Sequence, residues 1–277
     1  MSASGAPVPG TVYIVGAGPG APDLLTVRAT RVLAGADIVF HDALVHPDTL
    51  ALASRATLVP VGKRCGRHST AQRFINKRLV DAARDDRVVV RLKGGDPMLF
   101  GRAQEEIAAL ETAGIRCEVV PGVTAALAAA AALRTSLTER GRVRSVVLAT
   151  ARAAADDLRD GRGSGVAALA AADAGALYMG AGRSAAVAAE LIAAGKPASL
   201  PVAIVESASL PEQTITYTTL RELAVAPPAT RDGPAILLAG PQFERPASVH
   251  VGNDHVAAAS GVDRAADDAP ARRVRAR

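Results

Sequence analysis

A short strand-forming run that ends abruptly in glycines sets the first constraint on the fold. Thr11 to Val15 is β-branched and aromatic, and it stops at the segment Gly16-Ala17-Gly18-Pro19-Gly20. Such a run is typical of a buried strand that enters a tight turn, and Asp23 to Leu33 then has apolar residues at helical spacing. A second strand at Ala36 to Phe40 completes a βαβ pattern. The start of the chain therefore predicts a parallel sheet covered by helices.

The same alternation continues along most of the 277 residues. Pro121-Gly122 breaks the pattern before an alanine-rich helix, which places a domain boundary there, and from Pro246 onward the periodicity is lost. We therefore expect a flexible N-terminus at 1–10, two α/β domains with mainly parallel sheets at 11–121 and 122–245, and a disordered tail at 246–277. Further strands are predicted at 58–61, 88–92, 117–120, 145–149, 176–179, 202–205 and 235–238, and further helices at 70–83, 102–113 and 184–194.

Composition narrows the class of protein. No stretch approaches the roughly eighteen uncharged apolar residues of a membrane span, and the N-terminus has no basic start followed by an apolar run, so we expect a cytoplasmic protein without a membrane partner. The net charge is +5, but the segment 271–277 alone carries four arginines. Trp is absent and aromatic residues make up 3% of the chain, so we expect no nucleic-acid partner. Cys65 and Cys117 stand outside any CxxC pattern, which gives no support to a disulfide framework or a metal site.

The first glycine loop is compatible with more than one ligand. Gly16 to Ala21 fits the dinucleotide pattern G-x-G-x-x-G/A, and Asp42 lies near the distance at which an acidic residue would hold a ribose. Against a dinucleotide, Pro19 removes a backbone N–H that could face a pyrophosphate, and Pro22 follows. The glycines could also serve only to permit a tight strand-to-helix turn.

The second glycine loop is harder to explain as a plain turn. Gly94 and Gly95 follow a strongly β-branched strand, and Asp96 comes directly after them. Adjacent glycines let the backbone approach a ligand closely, and a carboxylate can accept hydrogen bonds from a hydroxyl or an ammonium group. Because ligands of open parallel sheets bind beyond the carboxyl ends of the strands, both loops occupy positions suited to binding.

The two loops together carry a family resemblance. V-G-A-G-P-G followed by R-L-K-G-G-D-P resembles the tetrapyrrole methyltransferases, and the match covers about Val12 to Gly240. Four further segments are similar to the uroporphyrinogen-III C-methyltransferase branch of that family: His41-Asp42-Ala43-Leu44-Val45, Val61-Gly62-Lys63-Arg64, Phe100-Gly101-Arg102 and Val119-Val120-Pro121-Gly122-Val123-Thr124-Ala125.

The resemblance implies an activity and a cofactor. It implies S-adenosylmethionine (SAM) in the cleft between two α/β domains, a homodimer, and methylation of uroporphyrinogen III at C2 and C7 to precorrin-2, a tetrapyrrole on the way to cobalamin or sirohaem. S-adenosylhomocysteine (SAH) is then the second product. Carried over by motif, the cofactor-binding residues are Pro19, Gly94, Gly95, Asp96, Leu99, Thr124, Ala125, Met179, Ala208 and Ala235.

The resemblance also implies roles for charged residues. Asp42 is the candidate proton acceptor, Lys63 the candidate donor, and Arg102 the third candidate catalytic residue. Arg64 and Arg67, like Arg102, are candidate partners for the carboxylates of the substrate, which planar guanidinium groups can bind bidentately. The alternative for Lys63, Arg64 and Arg67 is an ordinary solvated basic face.

Several segments depart from the family pattern at positions expected to contact substrate. The family has Gly-Ile-Pro-Leu-Thr-His-Arg where this chain has 134–140, Thr-Gly-His where it has 150–152, and Gly-Arg-Gly-Gly-Glu-Glu where it has 101–106; Ala21 replaces a common aspartate. Three alternatives therefore stay open: a methyltransferase for another precorrin, a nicotinamide or flavin oxidoreductase, and a relative that binds SAM or tetrapyrrole with weakened turnover.

Overall fold

Two five-stranded sheets form the centre of the chain in the part that the computed structural model describes, residues 7–61, 72–85, 87–151, 165–229 and 233–245. The first sheet uses strands between residues 11 and 120 and the second uses strands between 146 and 239. The predicted α/β class is confirmed, and the boundary at 121/122 stays a prediction. The predicted tail at 246–277 and residues 1–6 lie outside the described residues. Within the described ranges, no helix is both long and apolar enough to cross a bilayer.

The first sheet is entirely parallel and has the strand order β3-β2-β4-β1-β5. All six residues of β1 and of β4 are buried, which explains their nearly continuous β-branched sequences. Its strands are β1 Thr11–Gly16, β2 Ile38–His41, β3 Thr57–Pro60, β4 Val88–Lys93 and β5 Arg116–Val120, and the helices between them are α1 Val27–Ala34, α2 Pro47–Ala51, α3 Gln72–Arg84 and α4 Ala103–Thr112.

The second sheet has the order β6-β7-β10-β8-β9 and is mixed. Strands β6 and β7 are parallel, whereas β10 is antiparallel to both of its neighbours and β9 is antiparallel to β8. The sequence analysis missed β9, which follows β8 after a short loop and can therefore pair only as an antiparallel neighbour. Its strands are β6 Val146–Thr150, β7 Ala174–Tyr178, β8 Pro201–Glu206, β9 Thr214–Thr219 and β10 Ala235–Ala239, and its helices are α5 Ala125–Ala132, α6 Gly165–Ala171, α7 Ser184–Ala193 and α8 Leu220–Val225.

The first helix begins later than the sequence predicts. Pro22–Leu24 forms a single 3-10 turn, and α1 starts only after Thr26. The Thr26 side chain accepts a hydrogen bond from the Ala29 N–H at 3.2 Å, which caps the helix there. The cap lengthens the connection between the first glycine loop and α1.

Helix α5 ends in a left-handed residue with a large side chain. Arg134 has φ 52°, its N–H donates to the Ala131 carbonyl at 2.9 Å, and the Thr135 N–H donates to the Ala130 carbonyl at 3.0 Å. This is a Schellman end, where glycine is the usual residue, and Gly195 occupies the matching position after α7. Because a left-handed L-residue costs roughly 1–2 kcal/mol, Arg134 holds strain.

We expect Arg134→Gly to stabilise the protein. Relief of the left-handed strain, partly offset by the greater freedom of glycine in the unfolded chain, should raise the free energy of unfolding by about 1 kcal/mol. For a chain of this size the melting temperature should rise by about 2–4 °C in a thermal denaturation measurement. The reverse change, Gly195→Arg, is the matched control and should lower it. A lower melting temperature for Arg134→Gly would instead mean that the arginine side chain makes a compensating contact.

Candidate cofactor and active site

The two glycine loops predicted from the sequence contact each other. Strands β1 and β4 are neighbours in a parallel sheet, so the loops that follow them leave the same edge. The Gly95 N–H donates to the Gly18 carbonyl at 2.7 Å, and the Gly18 N–H donates to the Gly95 carbonyl at 3.2 Å. The loops therefore form one backbone surface at the carboxyl edge of the first sheet.

Glycine is required at different positions of this surface for different steric reasons. A Cβ on Gly16 would lie 2.7 Å from the Cα of Gly122, and a Cβ on Gly122 would lie 2.4 Å from the Gly95 carbonyl oxygen. Gly16 and Gly122 are thus explained by the close approach of three loops. Gly95 is different, because it is left-handed, with φ 68°, and nothing lies within 4 Å of the position its Cβ would take. The space beside Gly95 is therefore open to a ligand.

Asp96 holds the loops together. Its Oδ1 accepts from the Met98 N–H at 2.8 Å, and its Oδ2 accepts from the Gly122 N–H at 2.9 Å. The sequence analysis predicted that this carboxylate would receive hydrogen bonds from a ligand. In the structure both oxygens already accept backbone donors, and only their remaining lone pairs could receive a ligand group.

Tyr178, which the sequence analysis did not select, joins the two sheets. It ends β7, and its hydroxyl lies 2.6 Å from Thr124 Oγ1 and accepts from the Ala126 N–H at 3.2 Å. The Phe100 ring packs on the tyrosine ring with centroids 5.1 Å apart. Burial is the main cause that raises the pKa of Tyr178 above its ordinary value. Thr124 and Ala125 are therefore fixed at the start of α5 by a neutral tyrosine from the second sheet.

We expect Tyr178→Phe to destabilise the protein by about 1–2 kcal/mol, because Thr124 Oγ1 and the Ala126 N–H both lose a partly buried partner. Urea denaturation would measure the change. Tyr217→Phe on β9 is the matched control, since no hydrogen bond of the Tyr217 hydroxyl occurs among the described residues. Equal losses in the two variants would show that the Thr124 contact contributes nothing specific.

The second sheet brings three more of the predicted residues to one edge. Met179 follows the end of β7, Ala208 lies two residues beyond β8, and Ala235 begins β10 in register with Glu206. Met179 is left-handed, with φ 55°, and half exposed. A long apolar side chain in that conformation and at that exposure is unusual and points to a functional position.

A direct hydrogen bond connects this edge to the first glycine loop. The Ala21 N–H donates to Ser209 Oγ at 3.0 Å, and Gly20 packs so closely on Leu210 that a Cβ would lie 2.7 Å from its Cγ. Ser209 is left-handed, with φ 74°. Together with the Thr124–Tyr178 contact, this bond holds the carboxyl edge of the first sheet against the edge of the second where β7 and β8 end.

The remaining predicted cofactor residues lie on the same loops. Pro19 and Leu99 are partly buried, and Gly94 is exposed, with the Cβ of Leu44 3.7 Å from the position its own Cβ would take. Of the charged residues predicted to act on substrate, Lys63, Arg64 and Arg67 lie outside the described residues. The structure therefore places the ten predicted cofactor residues on the loops where the two sheets meet or, for Ala125 and Ala235, at the first residue of the adjoining helix or strand.

Arg102 is paired with a neighbour on its own helix. It precedes α4 in a left-handed conformation, φ 56°, and its Nε and Nη2 each donate to a carboxylate oxygen of Glu105 at 2.7 Å. This bond raises the pKa of Arg102 and lowers that of Glu105. Nη1 takes no part in the pair and stays available to a second carboxylate.

Asp42 directly follows β2, and its carboxylate accepts a hydrogen bond from a buried arginine. Arg91 Nη2 donates to Asp42 Oδ1 at 2.5 Å, and the arginine side chain is 3% exposed. Glu106 on α4, wholly buried, accepts from both Arg91 and Lys93. The sequence analysis missed Arg91 and Glu106, although charges inside the run Val-Val-Val-Arg-Leu-Lys had to find partners on folding.

The surroundings of Lys93 lower its pKa. Burial is the largest cause that lowers its pKa, the Arg91 charge lowers it further, and the Glu106 and Asp42 carboxylates oppose both effects. The two contacts of Lys93 Nζ with Glu106, at 3.1 and 3.2 Å, act against this lowering of the pKa. Across the described part of the chain, no group of three or more His, Cys, Asp or Glu residues could hold a metal ion.

Two relatives and one solved structure that resemble this chain act in tetrapyrrole methylation or sirohaem synthesis by their names. Uroporphyrinogen-III C-methyltransferase of Paracoccus denitrificans is 45% identical over 218 residues, which cover 78% of this chain and 75% of that protein. Siroheme synthase of a Psychrobacter species is 43% identical over 235 residues, which cover 83% of this chain and 47% of that protein, so the chain spans about half of that relative. The crystal structure of uroporphyrin-III C-methyl transferase from Thermus thermophilus complexed with S-adenyl homocysteine has a TM-score of 0.72 at 38% identity, over 83% of this chain and 97% of that one.

The same family appears when the chain is compared with family profiles. The profile of the tetrapyrrole (corrin/porphyrin) methylases matches residues 11–224. That range contains both glycine loops, the Thr124–Tyr178 contact and the loop after β8. The chain therefore belongs to the tetrapyrrole (corrin/porphyrin) methylase family.

Proposed function

We propose that the protein is a SAM-dependent C-methyltransferase that methylates uroporphyrinogen III at C2 and C7, giving precorrin-2 and SAH for cobalamin or sirohaem synthesis. The observation that carries the proposal is the second glycine loop. Gly95 is left-handed and has open space where a side chain would project, so a ligand can approach the backbone closely. A relative named uroporphyrinogen-III C-methyltransferase, 45% identical to the chain, supports the substrate class.

The residues on these loops fit SAM better than a dinucleotide. Pro19 has no N–H to offer a phosphate, and both oxygens of Asp96 already accept backbone donors. What the loops supply is exposed backbone at Gly94 and the apolar side chains of Leu99 and Met179. Such a surface suits a ligand that has an adenine ring and no phosphates.

The chain's own contribution to the reaction is positioning and proton transfer. SAM, when bound, supplies an electrophilic methyl group on a sulfonium. The loops would hold the cofactor and the macrocycle in line, which is where most of the rate acceleration comes from. Asp42 would accept the proton that the macrocycle loses from a methylene bridge after methyl transfer, and Arg102 would bind a substrate carboxylate through Nη1. Lys63 as proton donor, and Arg64 and Arg67 as carboxylate partners, complete the proposal.

The test is a methyl-transfer assay with the full chain, SAM and uroporphyrinogen III under anaerobic conditions, read by mass spectrometry of the product. A mass gain of two methyl groups would support the proposal, and a single methyl group would overturn the double methylation. Calorimetric titrations with SAH and with nicotinamide dinucleotides complete the test. Tight SAH binding without turnover would identify a weakened relative, and tight nicotinamide binding alone would identify an oxidoreductase.

We also propose that the protein is a homodimer. An apolar groove of about 630 Å³ is lined by residues of α5, the segment after it and β6. Leu127, 56% exposed, and Leu148, 39% exposed, lie on it. Apolar side chains at this exposure in one groove are typical of a surface that a second subunit covers.

Light scattering after gel filtration would test the dimer. Leu148→Glu should convert the protein to a monomer, because a carboxylate in an apolar interface loses its hydration without gaining a partner. Val225→Glu at the end of α8, where valine is 82% exposed and outside the groove, is the matched control and should leave the mass unchanged. A monomeric wild-type protein would overturn the proposal.

A further inference from the structure

A chain of charged side chains runs from the interior of the first sheet to its carboxyl edge. Glu106 is wholly buried, and Arg91 and Lys93 are each 3% exposed. Asp42, at the outer end, has a side chain that is 31% exposed. We refer to these four residues as the Arg91 network. Buried ion pairs are costly to desolvate and contribute little net stability, so stability alone does not account for this arrangement.

Glu106 is the acceptor on which the buried part of the network converges. Its Oε1 accepts from Gln72 Nε2 at 2.9 Å, from Arg91 Nε at 3.0 Å and from Lys93 Nζ at 3.1 Å, and its Oε2 accepts from Lys93 Nζ at 3.2 Å. Both oxygens are therefore saturated by donors from α3 and β4. None of these contacts involves Asp42, the residue that would meet the substrate.

Arg91 connects Glu106 to Asp42 at the carboxyl edge of the sheet. Its Nε is bound by Glu106, and its Nη1 donates to the carbonyl of Leu92 at 3.0 Å. With these two nitrogens held, the planar guanidinium has a fixed orientation, and Nη2 is left to donate to Asp42 Oδ1. Asp42 Oδ2 has no hydrogen-bond partner within the described ranges, so it is the oxygen that can receive a proton.

We infer that Glu106 is a positioning residue: by holding Arg91 from behind, it fixes the Asp42 carboxylate in the orientation in which Oδ2 accepts a proton from the macrocycle. The inference rests on the proposed function. In that step a C–H bond of a methylene bridge beside the methylated ring breaks, its electron pair forms a C=C bond that neutralises the ring cation left by methyl transfer, and an O–H bond forms at Oδ2. Glu106 itself touches neither substrate nor cofactor.

The charges of the network explain why Glu106 is needed. Two buried cations face one buried carboxylate, and Asp42 already lies near enough to Lys93 to raise the pKa of that lysine. Without the Glu106 charge, Asp42 would be the one ion-pair partner left to Arg91 among the described residues, and its carboxylate also attracts Lys93. The carboxylate would then be drawn inward, away from the edge at which it has to act.

The test is a double-mutant cycle between Glu106→Gln and Asp42→Asn, read as kcat and as SAH affinity. Glutamine keeps the shape of Glu106 and removes its charge. We expect Glu106→Gln alone to lower kcat by about tenfold or more with SAH affinity unchanged, because one proton-transfer group is misplaced. In the Asp42→Asn background the same change should lower kcat by less than about twofold, since the residue through which Glu106 acts is gone. Glu111→Gln, exposed on the same helix, is the matched control and should have no effect.

Each other outcome overturns a stated part of the inference. An equal fall of kcat in both backgrounds would give Glu106 a merely structural role, and full kcat in Glu106→Gln would remove its role altogether. If Glu106→Gln does not fold, the double variant Glu106→Gln/Lys93→Met replaces it, because it removes one buried cation together with the buried anion. The cycle with Asp42→Asn is then measured with this double variant.

A crystal structure of Glu106→Gln separates this inference from the proposed function. We expect the Asp42 carboxylate to be displaced inward, towards Lys93, so that the geometry of its contact with Arg91 Nη2 changes. If the contact persists unchanged, the positioning role is overturned whether or not the enzyme methylates uroporphyrinogen III. A wild-type protein that fails to methylate would overturn the proposed function alone.

Discussion

Replacing Asp42 with asparagine should lower kcat by roughly a hundredfold or more, which is the effect of removing one well-placed general base. Methyl transfer to an electron-rich carbon needs no acid or base, and SAM affinity should therefore change little. Asparagine can still accept the hydrogen bond from Arg91 Nη2, so the side chain should keep its place while it loses the ability to take a proton. Steady-state kinetics and SAH calorimetry on the same preparation would measure both quantities.

Asp48→Asn is the control for this experiment, because Asp48 is an exposed aspartate on the helix that follows Asp42. It should leave both kcat and SAH affinity unchanged. Full kcat in Asp42→Asn would place the base elsewhere, with Glu105 beside Arg102 as the next candidate. Loss of SAH binding in Asp42→Asn would make Asp42 a cofactor ligand. It would then favour the alternative in which the first glycine loop binds a dinucleotide.

Replacing Gly95 with valine should abolish measurable SAM binding. The added side chain would enter the open space beside the second glycine loop, where a Cβ meets nothing within 4 Å and the proposed cofactor would lie. We expect SAH affinity in calorimetry to fall by about a hundredfold or more, equivalent to about 2.7 kcal/mol of binding free energy. The left-handed φ of 68° means that valine at this position also strains the backbone.

Gly114→Val separates these two effects. Gly114 follows α4, has φ 69° and also has no atom within 4 Å of its Cβ position, so valine there creates the same strain away from the loops. Both variants should lose a similar amount of unfolding free energy, by roughly 1–2 kcal/mol or somewhat more for a β-branched residue. SAH affinity should fall in Gly95→Val alone. Similar SAH affinities in the two variants would contradict the placement of the cofactor at Gly95.

Local sequence was sufficient for the elements whose signals lie within one segment. The β-branched runs of β1 and β4 gave the central strands because a strand buried on both faces has to be apolar throughout. Both glycine loops were predicted to bind a ligand from their position after these strands, and the structure brings them into hydrogen-bond contact. The register of a parallel pair places the ends of neighbouring strands together, so this contact follows from the pairing of β1 with β4 in the sheet, which neither loop's own sequence specifies.

Other features depended on partners that are distant in sequence. The antiparallel pairing of β10 depends on its insertion between β7 and β8 in the sheet. No local sequence pattern distinguishes a parallel from an antiparallel neighbour. Tyr178 is an ordinary strand residue until the fold places its hydroxyl beside Thr124, 54 residues away. The sequence by itself therefore determined the α/β class and the two glycine loops, because strand burial and glycine turns are local. Only the tertiary structure decided that Asp42 is bound by Arg91, and Arg91 in turn by Glu106, because buried charges select their partners by proximity in space.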